Sequence, residues 1–388
     1  MTTILLPDVI YTSSEVLTKH AVIVDGSRIS DVLPMAELPE AHSASALRVD
    51  LTGFQVAPGF IDLQVNGGGD KLFNREPTAE TVKRIVAAHR RYGTTSMLPT
   101  FITGSSGDMG RAADAVRECH EEGLNGAVLG LHYEGPFISS KKAGVHNPNF
   151  IRESIDANFF ESLAKLQDTA LLMMTIAPEV LSAADIDELI VRGVHLAVGH
   201  TNSDSKTCRE ALNRGVKGAT HLFNAMSPLS SRELGAVGTL LLADDTWVDI
   251  IADGRHVSYD TIKLALRAKP TGKCFFVTDA MPPVGGEDLQ FDLPPYRVVS
   301  KDGACYTEAG VLAGSALDMA SAVRNGVHGV GIELAEALRM ASLYPAQFLG
   351  IDHVVGRIRA GWRADLVIFD DLLGVIATML AGDLERYT

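Results

Sequence analysis

The central part of the chain alternates between short apolar runs and segments in which apolar residues recur every three or four positions. Apolar runs such as Leu171 to Ile176 are typical of strands that are buried on both faces. Eight such strands are predicted, over 55–65, 94–101, 126–133, 171–177, 195–200, 218–223, 247–252 and 274–278. Helices are predicted between most of them, over 79–92, 108–122, 154–167, 183–192, 204–214 and 258–268, with Ser154 and Asp204 as N-caps.

Eight strands with intervening helices predict an α/β fold, a TIM-type (β/α)8 barrel over residues 55–353. Residues 1–54 and 354–388 instead contain short strand patterns separated by turns. Neither end is long enough for a core of its own, so the two are predicted to pair into one small β-sandwich domain. Two long loops, 134–153 and 279–315, follow the third and eighth strands, where barrel loops usually cover the substrate.

Composition and charge narrow the class of protein. A hydrophobic fraction of 46% over 388 residues supports a large core. The charge of 34 − 48 = −14 argues against nucleic-acid binding, which needs clustered cations. The chain contains no apolar run near the ~20 residues of a membrane span and does not begin like a signal peptide. The four cysteines are widely scattered, which is typical of reduced thiols. A cytoplasmic protein that does not bind membranes is therefore expected.

Four polar residues stand where predicted strands end. Glu134, His200, His221 and Asp279 close strands three, five, six and eight, and the carboxyl ends of barrel strands form the active-site rim. A single histidine in such a place is more often a core residue, but two at consecutive strand ends with a glutamate favour metal binding. Three protein ligands leave a position open for water, as catalytic zinc sites do. Asp279 is the candidate general base and acid.

The number of metal ions follows from the first strand. Gln64 and Asn66 stand there, and amides are poor ligands for zinc compared with imidazole. The fourth strand also lacks a lysine that could bridge two ions. One divalent ion per chain is therefore predicted, with Gln64 and Asn66 near it. Zinc is the first choice, and iron(II), cobalt and manganese are compatible with the same ligands.

Three further residues on the predicted rim carry candidate chemistry. Arg232 lies in a polar loop after strand six, and His256 ends strand seven. Either could be an ordinary surface cation, yet on the rim both could bind an anionic group. His146 lies on the loop just beyond Glu134, where its imidazole could polarise a substrate carbonyl.

Taken in order, the motifs around these residues resemble those of the N-acetylglucosamine-6-phosphate deacetylases of the amidohydrolase superfamily. The resemblance runs from Pro58 to Val367, nearly the whole chain. It rests on the following segments: Glu134-Gly135-Pro136, His146-Asn147-Pro148, Gly199-His200-Thr201, Thr220 to Met226, Ala252 to His256, Thr278-Asp279-Ala280 and Leu312 to Ser315.

The resemblance implies deacetylation of N-acetylglucosamine 6-phosphate by a metal-activated water, with Asp279 as general base and acid. It implies that Glu134, His200 and His221 bind the metal and that His146 steadies the acetyl carbonyl. It places Arg232 and His256 on the sugar phosphate, with the arginine supplied across a homodimer interface. The other implied substrate contacts are Val145, Asn224, Ala225, Asp253, Leu312, Ala313 and Gly314. Many superfamily members have His-x-His where Gln64-Val65-Asn66 stands, so this chain resembles the single-metal branch.

Two alternatives to a sugar deacetylase are a related enzyme with another substrate and a barrel without activity. A metal-dependent amidase or deaminase of the same superfamily, acting on a cyclic amide or a nucleobase, would need no phosphate clamp. A non-catalytic barrel should have lost at least one of Glu134, His200, His221 and Asp279, and all four are present. The sequence does not rank N-acetylglucosamine 6-phosphate against its manno and galacto epimers.

Overall fold

The computed structural model describes residues 2–38, 46–166 and 169–387. In chain order its strands are β1 (Thr2–Tyr11), β2 (Val16–Thr18), β3 (His20–Asp25), β4 (Arg28–Pro34), β5 (Leu47–Pro58), β6 (Phe60–Val65), β7 (Gly67–Gly68), β8 (Lys71–Leu72), β9 (Thr94–Ile102), β10 (Gly130–Glu134), β11 (Leu171–Ile176), β12 (His195–Val198), β13 (Gly218–Ala219), β14 (Val248–Ile251), β15 (Cys274–Val277), β16 (Gln290–Leu293), β17 (Tyr296–Lys301), β18 (Ala304–Thr307), β19 (Leu312–Ser315), β20 (Leu366–Phe369), β21 (Val375–Leu380) and β22 (Asp383–Arg386).

The α-helices are fewer, and most of them follow a strand of the central sheet. They are α1 (Ala79–Arg90), α2 (Ser106–Glu121), α3 (Ala157–Ala164), α4 (Ala183–Val191), α5 (Ser205–Arg214), α6 (Gly235–Leu242), α7 (Tyr259–Ala268), α8 (Met319–Asn325), α9 (Leu334–Ala341) and α10 (Leu343–Phe348). Short 3-10 turns lie at Met35–Glu37, Ser140–Lys142 and Pro148–Phe150, and a π-helical turn at Gly326–Val330. No helix within the described ranges is long and apolar enough to cross a membrane.

The centre of the molecule is a curled parallel sheet. Six strands pair in the order β13-β12-β11-β10-β9-β6, and β14 pairs with β15 in a second parallel sheet. Main-chain hydrogen bonds connect the two sheets on both sides. The Leu222 N–H donates to the Asp249 carbonyl, and the Asp279 N–H donates to the Gln64 carbonyl, each over 2.9 Å. Every residue of β9 and β10 is buried, as expected for strands covered on both faces.

Each of the eight strands predicted for the central sheet overlaps an observed strand. The sixth is shorter than predicted and ends at Ala219, because the backbone of His221 turns into the left-handed region with φ of 35°. Asp204 caps α5 as predicted, accepting a hydrogen bond from the Thr207 N–H. The prediction of Ser154 as an N-cap is wrong, because α3 begins later and Asp156 caps it. The end of that predicted helix, residue 167, lies outside the described residues.

The two ends of the chain share one sheet, in the order β22-β21-β20-β5-β1-β3-β4, with β2 on the far part of β1. The long strand β5 joins them, since it pairs in parallel with β1 and antiparallel with β20 up to Pro58. It therefore continues past residue 54 and leads directly into β6, the first strand of the central sheet.

Part of the segment after β15 is folded where a loop was predicted. Residues 290–315 form the antiparallel sheet β16-β17-β18-β19. Its buried residues Leu293, Val298 and Ala313 pack against Leu72 and Met281, and this apolar contact explains why the segment is ordered into strands. The Met281 N–H donates to the Ser315 carbonyl, which ties β19 to the rim of the central sheet.

Candidate metal and substrate site

The residues predicted to form the site line one cavity. Glu134 ends β10, His200 and His221 follow β12 and β13, and Asp279 follows β15. All four face a cavity of about 390 Å³ at the carboxyl ends of the central strands. The parallel order of these strands brings together residues up to 145 positions apart (279 − 134).

Three of these side chains converge closely enough to share one metal ion. Glu134 Oε1 lies 3.0 Å from His200 Nε2 and 2.9 Å from His221 Nε2. The two imidazole nitrogens are 3.1 Å apart. Within the described ranges these three residues are the group whose ligand atoms come together as a metal site would require. One carboxylate and two imidazoles with room beside them match a catalytic site for a divalent ion.

The Nδ1 atoms of His200 and His221 differ in their hydrogen-bond partners. His200 Nδ1 lies 2.8 Å from the Lys142 carbonyl, so Nδ1 carries a proton that it donates to this oxygen, and Nε2 faces Glu134. His221 Nδ1 is buried and meets no hydrogen-bond partner among the described residues. The His221 main-chain N–H donates to the Asp249 carboxylate.

The electrostatics of the cluster favour positive charge between the three side chains. Burial alone would raise the pKa of Glu134, but hydrogen bonds from His200 and His221 hold it well below its ordinary value. Burial would lower the pKa of His221, yet the hydrogen bond to Glu134 and that carboxylate's charge raise it to about 9. A divalent ion supplies the charge that these groups attract, so the residues present suit a metal.

Asp279 is held by amide groups on one of its two oxygens. Gln64 Nε2 and Asn66 Nδ2 donate to Asp279 Oδ1 over 3.1 and 2.6 Å. Gln64 lies in β6 and Asn66 directly follows it. This end of β6 therefore orients the carboxylate of Asp279, which follows β15. Burial raises the pKa of Asp279 to about 6, and the negative charge of Glu134 adds to that shift. A carboxylate with this pKa can accept and return a proton near neutral pH.

The backbone is strained at the same three strand ends. His200, His221 and Asp279 have φ angles of 45°, 35° and 51°, in the left-handed region that favours glycine. Phe223 and Ala225, just beyond His221, are also left-handed, with φ of 82° and 49°. Such residues each cost about 1–3 kcal/mol and persist where surrounding contacts hold them. Their concentration around one cavity is typical of a functional site.

His146 lies beside the cluster as a neutral imidazole. Its Nδ1 is 2.8 Å from the Thr103 hydroxyl, and its Nε2 is 4.0 Å from Glu134 Oε1. Burial, with the neighbouring His200 charge, lowers the pKa of His146 to about 3. The ring therefore remains uncharged and can donate or accept one hydrogen bond inside the cavity.

Most of the substrate contacts predicted from the sequence line this cavity, and three do not. The cavity walls include Asn66, Val145, His146, Asn224, Ala225, His256, Leu312 and Gly314. Asp253 lies behind His256, with its Oδ2 atom 2.6 Å from His256 Nδ1. Ala313 is buried within β19, between two residues that do line the cavity. Arg232 is exposed on the loop before α6, outside the cavity walls of this chain.

The structure also brings to the site residues that the sequence patterns did not single out. Lys141 and Lys142 line the cavity, together with the apolar Ile102 and Met281. Asp249 lies on β14 and is 1% exposed. Burial raises the pKa of Asp249 to about 8, and positive charge on His221 opposes that shift. An acidic residue inside the otherwise apolar run 247–252 was the sequence signal that could have identified it.

Relatives are found along nearly the whole chain. The sequence profile of the amidohydrolase family matches residues 55–386, and that of the NagA composite domain matches residues 5–55. The N-acetylgalactosamine-6-phosphate deacetylase of Shewanella sp. (strain ANA-3) is 40% identical over 334 residues, 86% of this chain and 84% of that protein. The N-acetylglucosamine-6-phosphate deacetylase of Haemophilus influenzae is 38% identical over 377 residues, 96% of this chain and 97% of that protein.

A solved structure agrees with these matches. The crystal structure of N-acetylglucosamine-6-phosphate deacetylase from Pasteurella multocida superposes on this chain with a TM-score of 0.95 at 37% identity. The superposition covers 100% of both chains, so it includes the terminal sheet as well as the central one.

Proposed function

The chain belongs to the amidohydrolase family, and we propose that it hydrolyses N-acetylglucosamine 6-phosphate to glucosamine 6-phosphate and acetate. The observation that carries the proposal is the convergence of Glu134, His200 and His221 beside Asp279 in one cavity. Relatives that cover most of the chain are named for this activity or for the galacto counterpart. The solved adenosine deaminase from Xanthomonas campestris that resembles this chain is 14% identical, so it supports the shared fold and not the deaminase alternative.

We propose that Glu134, His200 and His221 hold one divalent ion, zinc in the first instance. A divalent ion at this place acts as a Lewis acid and lowers the pKa of bound water. The protein's contribution is to fix three ligand atoms in advance. The Lys142 carbonyl orients one imidazole, and the strand ends place the other two ligands.

Asp279 is the proposed proton carrier. It accepts a proton from the attacking water and delivers it to the nitrogen as the C–N bond of the acetamide breaks. The Gln64 and Asn66 amides occupy Oδ1, so Oδ2 is the oxygen left to exchange the proton. This arrangement allows one carboxylate to act first as base and then as acid.

His146 is the proposed donor to the acetyl carbonyl oxygen. If the Thr103 hydroxyl donates to Nδ1, the neutral ring carries its single proton on Nε2, the nitrogen nearer Glu134. That N–H then stabilises the negative charge that develops on the carbonyl oxygen during attack.

The remaining contacts are proposed for the sugar. Asn224, Ala225 and His256 line the cavity, and so do Leu312 and Gly314 of the strand β19. Asp253 fixes the ring of His256 through its Nδ1. Arg232 is exposed in this chain, so we propose that it reaches the phosphate of the neighbouring subunit in a homodimer.

We propose that the fold is a closed (β/α)8 barrel joined to a β-sandwich. The six-stranded and two-stranded parallel sheets provide eight strands, and main-chain hydrogen bonds connect them on both sides. For the terminal sheet, buried residues of β1, β3, β5, β20 and β21 share one apolar cluster, as in a sheet folded over itself. The proposed domain bounds are 55–353 for the barrel and 1–54 with 354–388 for the sandwich.

A cytoplasmic location is proposed from the cysteine chemistry. Cys119, Cys208, Cys274 and Cys305 are all free and buried. Burial raises the pKa of each of these thiols, which keeps them protonated and unreactive.

The galacto epimer is a second candidate substrate, because the Shewanella relative is named for it at 40% identity. The deciding experiment is a coupled acetate-release assay on the 6-phosphates of N-acetylglucosamine, N-acetylgalactosamine and N-acetylmannosamine and on the free sugars. The proposal expects turnover of the gluco 6-phosphate at the highest kcat/KM. A higher kcat/KM for the galacto 6-phosphate would assign that epimer instead. Equal rates on phosphorylated and free sugars would favour the amidase alternative.

The metal count gives a separate prediction. Gln64 and Asn66 are engaged with Asp279 and offer no imidazole, so the purified protein should contain about one divalent ion per chain. Elemental analysis of the sample used in the acetate assay measures this number. Two tightly held ions per chain in active protein would contradict the single-metal site.

A further inference from the structure

Asp249 is a buried carboxylate for which the reaction described above gives no role. It lies in β14, is 1% exposed and stands between the apolar residues Val248 and Ile250 along the strand. A carboxylate in such a place costs several kcal/mol unless hydrogen bonds or an opposite charge compensate for its lost hydration. Its contacts therefore indicate why this strand carries an acidic residue.

Asp249 contacts the metal-ligand segment at two consecutive amides. Its carboxylate Oδ1 accepts the main-chain N–H of His221. Its main-chain carbonyl accepts the N–H of Leu222 over 2.9 Å. The neighbouring strand β13 stops at Ala219, so the regular ladder ends before His221, and a side chain takes the place of a ladder carbonyl.

The hydrogen bond from the His221 main-chain N–H to Asp249 holds a strained residue. His221 has φ of 35°, which a non-glycine residue keeps only when its surroundings hold it there. The main-chain N–H of Asp279, another left-handed residue of the site, is bound by the main-chain carbonyl of Gln64. At His221 the acceptor is the Asp249 carboxylate, so the backbone conformation of His221 depends on the identity of one side chain.

Two further atoms of the same pair lack partners. His221 Nδ1 and Asp249 Oδ2 are both buried, and neither meets a hydrogen-bond partner within the part of the chain that is described. Histidines that bind metal through one nitrogen usually donate the other N–H to a carboxylate or a carbonyl. His200 does so to the Lys142 carbonyl. Asp249 is the acidic residue already joined to His221.

We propose that Asp249 is the positioning residue for the metal ligand His221. Its Oδ1 holds the left-handed backbone, and its Oδ2 accepts the His221 Nδ1–H when a divalent ion occupies Nε2. The carboxylate thereby fixes the ring's tautomer, increases its basicity and places a negative charge behind the cation. The inference rests on the proposed metal-dependent function but concerns metal affinity rather than turnover.

The test is zinc affinity, measured by competition with a chromogenic chelator on metal-stripped protein. Asp249→Asn keeps an oxygen for the His221 main-chain N–H but loses the negative charge and one acceptor. We expect zinc affinity to fall by about 10- to 100-fold. The melting temperature of the metal-free variant should stay close to that of the parent, because asparagine keeps the oxygen that accepts the His221 main-chain N–H.

The matched control is Asp365→Asn in the terminal sheet. Asp365 is also buried, accepts the Ala381 main-chain N–H and is paired with Arg363. Its replacement should lower the melting temperature with and without zinc and leave zinc affinity within about twofold. Zinc affinity of Asp249→Asn within twofold of the parent would overturn the proposal. So would a loss of melting temperature in metal-free Asp249→Asn as large as that of the control.

A second measurement needs no variant to fold. In zinc-loaded parent protein labelled with ¹⁵N-histidine, His221 Nδ1 should carry a proton that exchanges slowly with water, because it is buried and hydrogen-bonded. An Nδ1 proton that exchanges with water as fast as the N–H of an exposed imidazole would overturn the proposal. Acetate release by the same parent sample is recorded in parallel. Zinc binding without acetate release would contradict the proposed function. The role of Asp249 would then still be decided by comparing the zinc affinities of the parent and Asp249→Asn.

Discussion

Replacing Asp279 by asparagine should lower kcat by about 10³-fold or more while the protein keeps its metal and its affinity for substrate. Asparagine preserves the shape of the side chain and an oxygen for the Gln64 and Asn66 amides. It cannot accept the proton of the attacking water or return it to the departing amine. The loss should therefore appear in the chemical step and leave the ground-state complex intact.

The measurement is steady-state acetate release, with elemental analysis and substrate binding on the same variant. Asp288→Asn is the matched control, because it makes the same substitution at an exposed position in the segment that follows β15. Its kcat should stay within about twofold of the parent, as expected for a surface change. Activity of Asp279→Asn within tenfold of the parent would remove Asp279 from the catalytic role.

Replacing Arg232 by alanine should raise KM for the 6-phosphate substrate strongly and hardly change the poor turnover of the free sugar. A phosphate held away from water needs charge-assisted hydrogen bonds, and losing one costs about 2–4 kcal/mol of transition-state binding. Arg209→Ala, an exposed arginine of α5, is the control and should leave both substrates unaffected. Equal losses on both substrates would assign Arg232 to the fold instead of the phosphate.

The exposure of Arg232 in a single chain makes a subunit-mixing experiment decisive. A dimer with one Arg232→Ala subunit and one Asp279→Asn subunit keeps one complete site only if the arginine crosses the interface. Random reassortment of equal amounts should then restore about a quarter of parent activity from two impaired variants. No recovery in dimers verified as mixed would place the arginine in its own subunit's site. If KM is unchanged in the Arg232→Ala variant itself, the phosphate would instead be assigned to Lys141 and Lys142, which line the cavity.

The sequence by itself determined the order of the central elements and the positions of the candidate ligands. Strands buried on both faces appear as continuous apolar runs, so the eight runs could be located and their ends identified. A polar residue that ends such a run lies at the rim of a parallel sheet. This reasoning placed Glu134, His200, His221 and Asp279 around one cavity. The family resemblance drawn from the motifs around them was confirmed by the matching profiles and relatives.

Other features lay beyond the reach of local patterns. The antiparallel strands β16 to β19 form because their apolar residues meet Leu72, Ile102 and Met281, which are distant in the sequence. Ser154 and Asp156 are both acceptable N-caps, so the residue type alone did not distinguish them, and α3 begins after Asp156. Arg232 resembles a phosphate ligand in sequence, yet the single chain leaves it exposed.

Only the tertiary structure decided which groups hold the site residues in place. Gln64 and Asn66 donate to Asp279 across more than two hundred positions, the Lys142 carbonyl orients His200, and Asp249 clamps the backbone of His221. These contacts join strands that are neighbours in space and far apart in the chain. The left-handed backbone at His200, His221 and Asp279 is likewise held by such contacts, because histidine and aspartate tolerate this region but do not favour it over right-handed or extended backbone. Periodicity in a sequence records which residues are buried, whereas the partner of each buried polar atom depends on how the strands are arranged around one another.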